Sequence, residues 1–223
     1  MRDLNLTADS GRPISVLCLG AHADDIEIGC GGLILDLLQR HRLVDVNWVV
    51  FSATAVRAKE AQASARQFLN GAKSKKVRVH RFRDGFFPYD GAKIKKAFET
   101  LKRSIPVPDL VLTHYRDDRH QDHRAISDLT WNTFRDHLVL EYEIPKFDGD
   151  LGTPNCFVQL SRAVAVRKTE HLDRAFTTQT DKHWFSTETF LGLMRLRGVE
   201  CRAPEGYAEA FYARKFVMSS TRS

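Results

Sequence analysis

The 223-residue chain has no apolar run near the roughly 20 residues that a membrane-spanning helix needs. No contiguous hydrophobic stretch lies near its start, so a secretory leader is not expected and a cytoplasmic location is predicted. Its four cysteines lack C-x-x-C spacing, which argues against a cysteine-ligated metal and, in that compartment, against disulfides. What remains is the profile of an ordinary globular protein, with 43% hydrophobic and 28% charged residues.

The net charge is +6, and much of the basicity lies in two stretches. Solvated helix and loop faces are the simpler interpretation of these stretches. The alternative interpretation is that the stretches create an electrostatic field that attracts an anionic substrate, such as a phosphorylated sugar or a nucleotide-sugar. Nucleic acid is not predicted as a partner, because the stretches have no aromatic interleaving and match no nucleic-acid motif. The basic residues are Lys73, Lys75, Lys76, Arg78, Arg81 and Arg83, then Lys93, Lys95, Lys96, Lys102 and Arg103.

Apolar runs alternate with helical patterns along the chain. This alternation predicts a single α/β domain over residues 1–223, a Rossmann-like three-layer α/β/α fold with a mostly parallel sheet. The predicted strands are 14–20, 44–51, 77–82, 109–113, 138–143, 163–167 and 211–217. The predicted helices are 26–41, 57–70, 91–104, 122–137, 168–178 and 187–197. Residues 1–12 and 218–223 are expected to be flexible, and 144–155 to be a loop that helps to set specificity.

Two short polar clusters, His22-Ala-Asp24-Asp25 and His120-Gln-Asp122-His123, each follow a predicted strand. In open α/β sheets, ligands bind beyond the carboxyl ends of the strands. Adjacent carboxylates repel unless a cation lies beside them, and residues three apart on a helix share a face. A helix cap with solvent histidines would explain much of either cluster alone. Together they favour a hydrolytic metal site with additional groups for proton transfer.

These motifs resemble those of the PIG-L (LmbE-like) family of zinc-dependent N-deacetylases, which carry H-x-D-D after the first strand and H-x-D-H after a later one. The resemblance covers residues 14–130, including Arg57-Ala-Lys-Glu60 and Asp84-Gly after the second and third strands. This chain has Ala23 where the family usually has proline. That change loosens the turn but removes no functional group.

The resemblance implies one Zn²⁺ per chain, held by His22, Asp25 and His123, although the native metal stays open and Fe²⁺ is an option. Two neutral imidazoles and one carboxylate would leave such a site net positive. Arg57 and Asp84 are expected to contact the substrate.

The same resemblance assigns proton transfer to the remaining polar groups. Asp24 would be the general base for the attacking water. His120 would be the positively charged partner of the oxyanion or the general acid for the leaving amine, with Asp122 tuning the pKa of His120. His114 is expected to have a backbone partner rather than a site role, and Asp118 to shape its loop.

The predicted activity is metal-dependent removal of an N-acetyl or other N-acyl group from an amino sugar or sugar conjugate. A rim that carries basic and aromatic side chains would suit a phosphorylated or nucleotide-linked sugar, although the acyl group and the sugar stay open. The oligomeric state is also open, with a homo-oligomer among the alternatives. The rim residues are Arg57, Arg83, Phe86, Phe87 and Tyr89.

Two alternatives compete with this interpretation. A two-His-one-carboxylate iron oxygenase can show similar motifs, but such sites usually lie in all-β folds. A non-catalytic nucleotide-sugar-binding α/β domain is the other. The first strand ends in GAHADD rather than G-x-G-x-x-G, so a dinucleotide fingerprint is lacking. Gly29, Gly31 and Gly32 are instead predicted to allow close packing of the first helix.

Overall fold

The computed structural model describes residues 11–41 and 43–217. Its strands are β1 (Ile14–Gly20), β2 (Val44–Val50), β3 (Ser74–Val79), β4 (Leu110–His114), β5 (Val139–Tyr142), β6 (Cys156–Leu160) and β7 (Tyr207–Ala213). Its helices are α1 (Asp25–Arg40), α2 (Ala55–Phe68), α3 (Gly91–Ser104), α4 (Gln121–Thr133), α5 (Arg162–Ala175) and α6 (Thr187–Glu200).

The strands form a seven-stranded sheet in the order β3-β2-β1-β4-β5-β7-β6. Neighbours from β3 to β5 run parallel, whereas β7 is antiparallel to both β5 and β6. Every residue of β1 is buried, as its continuous apolar run predicts for a strand covered on both faces. The predicted α/β fold with a mostly parallel sheet is therefore confirmed.

Helices cover both faces of the sheet. On one face Ile34 of α1, Phe68 of α2 and Leu172 of α5 belong to one hydrophobic core, which also includes residues of α6. On the other face Phe98 of α3 and Ile126 of α4 belong to a second core. The sheet therefore lies between two apolar layers, as a three-layer fold requires.

The strand order reverses between β1 and β4. The chain passes from β1 outward to β2 and β3, then returns to place β4 on the other side of β1. Ligands in open α/β sheets bind in the crevice beyond the carboxyl ends of the strands at such a switch point. The two polar clusters follow these two strands, so the topology brings them together.

The C-terminal third corrects the predicted strand at 163–167. Those residues belong to α5, and the strand lies earlier, in β6. The alternating AVAVR pattern suggested a strand, but Ser161 Oγ accepts a hydrogen bond from Val164 N–H and caps a helix there. Burial of Val164, Lys168 and Leu172 at helical spacing then fixes that helix against the domain.

Other boundaries also shift. The third strand begins at Ser74 instead of 77, and the last strand occupies Tyr207–Ala213 instead of 211–217. Helix α4 ends at Thr133 rather than 137. The ends of β3 and β7 depend on where each strand pairs with its neighbour, β2 or β6. That pairing has no local signal in the sequence, so the predicted ends of these two strands were displaced.

The glycines of α1 allow close packing, as predicted. A Cβ on Gly29 would overlap the Tyr142 ring, and one on Gly31 would lie 2.8 Å from Phe68. Helix α1 can therefore approach β5 and α2 more closely than a helix with side chains at these positions.

Residues 144–155 contain no helix or strand, as predicted for a loop. The role of this loop in specificity stays a prediction.

Near the start of the described chain, Arg12 makes a bidentate ion pair with Asp109, with both N–O distances at 2.7 Å. Of the ends expected to be flexible, residues 1–10 and 218–223 lie outside the described residues. Within the described part, each helix is too short or too polar to cross a membrane.

Candidate metal centre

Three donor groups converge where β1 and β4 end. His22 Nδ1 lies 3.2 Å from His123 Nε2. The Asp25 carboxylate approaches both rings, with Oδ2 at 3.4 Å from His22 Nδ1 and Oδ1 at 3.6 Å from His123 Nε2. All three side chains are buried. The structure thus brings together the three residues predicted to be metal ligands, with their lone pairs in one small volume.

A carboxylate behind His123 fixes which of its nitrogens faces the centre. Asp118 Oδ2 lies 2.8 Å from His123 Nδ1. The Nδ1–H therefore donates to Asp118, and the Nε2 lone pair is left free toward Asp25. Such a carboxylate–histidine pair is the usual outer support of a metal-binding imidazole.

His22 has the same arrangement with its nitrogens exchanged. Its Nε2 lies 3.1 Å from Asp84 Oδ1 and 3.4 Å from Asp122 Oδ2, which leaves Nδ1 toward His123. The Asp122 carboxylate also accepts the Gly85 N–H, at 2.6 Å. Asp122 therefore contacts His22 and the loop after β3 directly, whereas its predicted tuning of His120 would act only through its charge.

His114 also lies in this cluster, with Nε2 3.2 Å from Asp25 Oδ2. That nitrogen accepts the Ala21 N–H at 2.9 Å, so its lone pair is already used. Its ring stacks on His123 at a centroid distance of 4.0 Å. His114 has the expected backbone partner, and it also belongs, with Asp25 and His123, to a buried group of donor atoms that could hold a metal ion.

Asp24 lies beside the three donors but takes part in a different contact. Its Oδ1 accepts a hydrogen bond from Arg57 Nη2 at 2.6 Å. Its Oδ2 is buried and has no hydrogen-bond partner among the described residues. Burial raises the pKa of Asp24, and the Arg57 charge opposes that shift. Among the described residues, no group hydrogen-bonds to this buried carboxylate oxygen beside the cluster.

His120 is the half-buried histidine of the cluster. Its Nδ1 accepts the Asp122 N–H at 3.2 Å, so the neutral ring carries its proton on Nε2 and can donate it. Its ring centroid lies 4.9 Å from that of His22. Burial and the charge of His22 lower the pKa of His120, while nearby carboxylates oppose that shift. The lowered pKa favours the neutral His120 ring over the predicted positive charge, so Nε2–H is available to donate a hydrogen bond.

Burial and neighbouring charges shift the pKa values of His22 and His123 strongly, in opposite directions. Burial alone would lower the pKa of His22, but the Asp25 charge and hydrogen bonds to Asp122 and Asp84 hold it well above 6.5. Burial and the His114 charge lower the pKa of His123 to about 3. A proton on His22 thus balances the carboxylates where a cation would otherwise do so. Because a metal must displace that proton, its affinity falls in acid.

The structure removes one residue from the predicted rim and adds two to the site. Phe87 is fully buried, whereas Phe86 and Tyr89 are exposed and the Arg83 guanidinium lies 3.5 Å above the Phe86 ring.

The sequence did not indicate that Asp118 supports a histidine of the site. It also missed Lys146, whose Nζ lies 3.0 Å from Asp118 Oδ1. An acidic residue shortly before the H-x-D-H motif was the only available signal, and it was weak.

The fold and the cluster together define an α/β protein with histidines and aspartates that could hold a metal ion. Three overlapping groups have donor atoms within 4.8 Å of one another: His22, His120 and His123; Asp25, His114 and His123; and His22, Asp84 and Asp122. The chain belongs to the PIG-L family, whose model, described as GlcNAc-PI de-N-acetylase, matches residues 17–134. The match spans the strands and both motifs that form the cluster.

Solved structures of the same fold include proteins with different activities. N,N'-diacetylchitobiose deacetylase from Pyrococcus horikoshii is 22% identical, with a TM-score of 0.68, over 90% of this chain and 84% of that one. The A40926 pseudoaglycone deacetylase Dbv21 is 19% identical, with a TM-score of 0.67, over 90% and 96%. GalB, the 4-carboxy-2-hydroxymuconate hydratase from Pseudomonas putida, is 18% identical, with a TM-score of 0.68, over 94% and 99%.

Proposed function

We propose that the protein is a zinc-dependent hydrolase that removes an N-acetyl group from an amino sugar or sugar conjugate. The observation that carries the proposal is the convergence of His22, Asp25 and His123 beside Asp24, whose buried Oδ2 has no partner within the described structure. Membership of a family described as a de-N-acetylase supports the same chemistry.

The donor set fits zinc. Ligands at about 2.0–2.2 Å from a tetrahedral ion lie about 3.3–3.6 Å from one another. The two imidazole nitrogens are 3.2 Å apart, and the Asp25 carboxylate faces His22 with Oδ2 at 3.4 Å and His123 with Oδ1 at 3.6 Å. Two neutral imidazoles with one carboxylate also match the ligand type of hydrolytic zinc sites, which keep one position open. When bound, the ion would polarise the amide carbonyl and make water more acidic.

The remaining residues would handle protons around the amide. Asp24 would accept the proton of the attacking water on Oδ2, while Arg57 holds its other oxygen in place. The neutral His120 ring would donate a hydrogen bond from Nε2 to the oxyanion, and the imidazolium form of the ring would protonate the departing amine. The products are then acetate and a free amine on the sugar.

The fold weighs against both competing functions. Iron oxygenases of the two-His-one-carboxylate class usually occupy all-β folds, whereas this sheet is mostly parallel and covered by helices. A purely binding domain would not need a buried, unsatisfied carboxylate oxygen next to a set of metal donors. Because the same fold also belongs to a hydratase, the proposal rests on the side chains rather than on the fold.

The test is an amine-release assay on zinc-loaded protein with a panel of N-acetylated amino sugars, their phosphates, nucleotide-sugars and glycoconjugates. We expect release from at least one member, loss of activity with a chelator, and recovery with zinc. No release across the panel would contradict the proposal. Equal rates on neutral and phosphorylated substrates would contradict the anionic substrate inferred from Arg83 and the other basic residues.

Asp118→Asn should weaken zinc binding by about 10- to 100-fold, the usual effect of losing an outer support of a ligand histidine. The amide can present its NH₂ to His123 Nδ1, which would turn the ring tautomer and take the lone pair from Nε2. Chelator competition measures the affinity. Asp117→Asn is the matched control. The neighbouring Asp117 side chain is 67% exposed, and its ion pair is with Arg214, at 3.7 Å, rather than with a histidine of the site. An equal loss in both variants would contradict the assigned role of Asp118.

A further inference from the structure

Helix α1 is broken one turn after it begins. Cys30 has φ −145° and ψ 16°, outside the helical range. In an unbroken helix the Gly32 N–H would donate to the Ile28 carbonyl. A break in a buried helix leaves such groups in need of other partners.

A buried ion pair supplies those partners from two distant elements. Lys168 Nζ, from α5, donates to the Ile28 carbonyl at 2.5 Å. The Glu209 carboxylate, from β7, accepts the N–H groups of Gly32 and Leu33, each at 2.7 Å. The ammonium and the carboxylate are 2.7 Å apart, so the pair bridges the break.

The charges of the pair match the two helix ends that meet at the break. The C-terminal end of a helical segment carries partial negative charge, and the N-terminal end carries partial positive charge. Lys168 lies at the end of the first segment, and Glu209 lies at the start of the second. Both side chains are almost fully buried, at 2% and 4% exposure. A surface ion pair could not serve this purpose, because water would compete for the same groups.

The short segment before the break carries the metal-binding carboxylate. Asp25 begins that segment, and its Oδ2 accepts the His22 N–H at 2.6 Å. At the other end the Ile28 N–H donates to the Asp24 carbonyl at 3.0 Å, while the Ile28 carbonyl accepts from Lys168. Hydrogen bonds thus fix the segment at both ends, and the one to the Ile28 carbonyl comes from Lys168 of the ion pair.

We infer that the buried pair Lys168–Glu209 positions the metal centre, because it holds the break in α1 that places Asp25 at the strand ends. The inference rests on the proposed zinc site. Both residues lie beyond residue 134, where the family match ends. The C-terminal third of the chain therefore supports the site without contributing a ligand to it.

Lys168→Met and Glu209→Gln test this inference in the full-length protein. Each is expected to weaken zinc binding by about 10- to 100-fold, as loss of an outer support does, in a chelator competition with zinc alone. Arg197→Met is the matched control. Arg197 and Glu143 form another buried pair, with an N–O distance of 2.6 Å, that lines the same cavity as Ile28 and Gly29, but the hydrogen bonds of Arg197 go to Glu143, Glu200 and Gly152 rather than to α1. We expect the control to lower the melting temperature but to leave the zinc affinity unchanged.

A double variant, Lys168→Met with Glu209→Met, separates positioning from charge burial. Replacing both members of a buried pair by apolar residues leaves no uncompensated charge, so the variant is expected to fold. Positioning predicts that its zinc affinity stays as low as in the single variants. Wild-type affinity in the double variant, or an equal loss in Arg197→Met, would overturn the inference.

These measurements stay distinct from a failure of the proposed function. If the wild-type protein binds zinc but releases no amine, the deacetylase proposal fails while the zinc comparison still decides the inference. If the wild-type protein binds no zinc, both fail. Amide hydrogen exchange of Gly32 in the metal-free variants gives a second readout, because its N–H loses the Glu209 acceptor.

Discussion

Asp24→Asn is expected to lower kcat by about 10²- to 10⁴-fold, the usual contribution of a positioned general base. An asparagine can still accept the Arg57 hydrogen bond through its amide oxygen. It cannot take a proton from water, however, so the site would keep its shape and lose its base. Zinc should remain bound at wild-type affinity, because Asp24 is not one of the three converging donors.

Steady-state kinetics and zinc content, measured on the same preparation, check this expectation. Asp36→Asn is the matched control, since Asp36 lies in α1, the helix that follows Asp24, and likewise pairs with an arginine, Arg40, at 2.6 Å. That variant should keep both activity and zinc. Undiminished activity in Asp24→Asn would remove Asp24 from the mechanism. Loss of zinc would mean that Asp24 and Asp25 have exchanged roles.

Asp25→Ala is expected to abolish zinc binding at micromolar metal and to lower activity by about 10³-fold or more, because a catalytic metal contributes several kcal/mol to the reaction. The variant removes the only carboxylate that approaches both ligand histidines within the described structure. It also leaves the His22 N–H without the oxygen that accepts it. Added zinc should restore chelator-treated wild-type protein but not the variant.

Metal analysis and activity assays with zinc, or with Fe²⁺ and 2-oxoglutarate, check the second expectation and separate the hydrolase from the oxygenase. Asp117→Ala is the control, because the Asp117 side chain is 67% exposed and its nearest cation is Arg214, at 3.7 Å. It should retain zinc. Wild-type zinc affinity in Asp25→Ala would contradict the proposed ligand set.

The first half of the fold was predictable from its sequence because the buried strands are continuous apolar runs. Strand β1 has the predicted bounds, and β2 differs by one residue at its end. The C-terminal third was less predictable. Its short segments 156–160 and 163–167 both have mixed apolar and polar patterns, and the Ser161 cap together with pairing to β7 decided between helix and strand.

The sequence predicted which polar side chains lie together at this sheet edge, but not their contacts, and the roles assigned to these residues stay predictions. The position of His22 and His123 after predicted strands indicated a shared edge, because parallel strands end on the same side of a sheet. The sequence could not show which ring nitrogen faces the centre. It also paired Asp122 with its neighbour His120, whereas the Asp122 carboxylate contacts His22.

By itself, the sequence determined the parallel α/β architecture and the set of chemical groups delivered to one sheet edge, since both follow from local apolar patterns and from motif position. Only the tertiary structure decided how those groups are held. Asp122 accepts from the Gly85 N–H, 37 residues away, and Glu209 accepts from the Gly32 N–H, 177 residues away. Such hydrogen bonds have no local sequence signal, because their partners meet only after the sheet has assembled and excluded water.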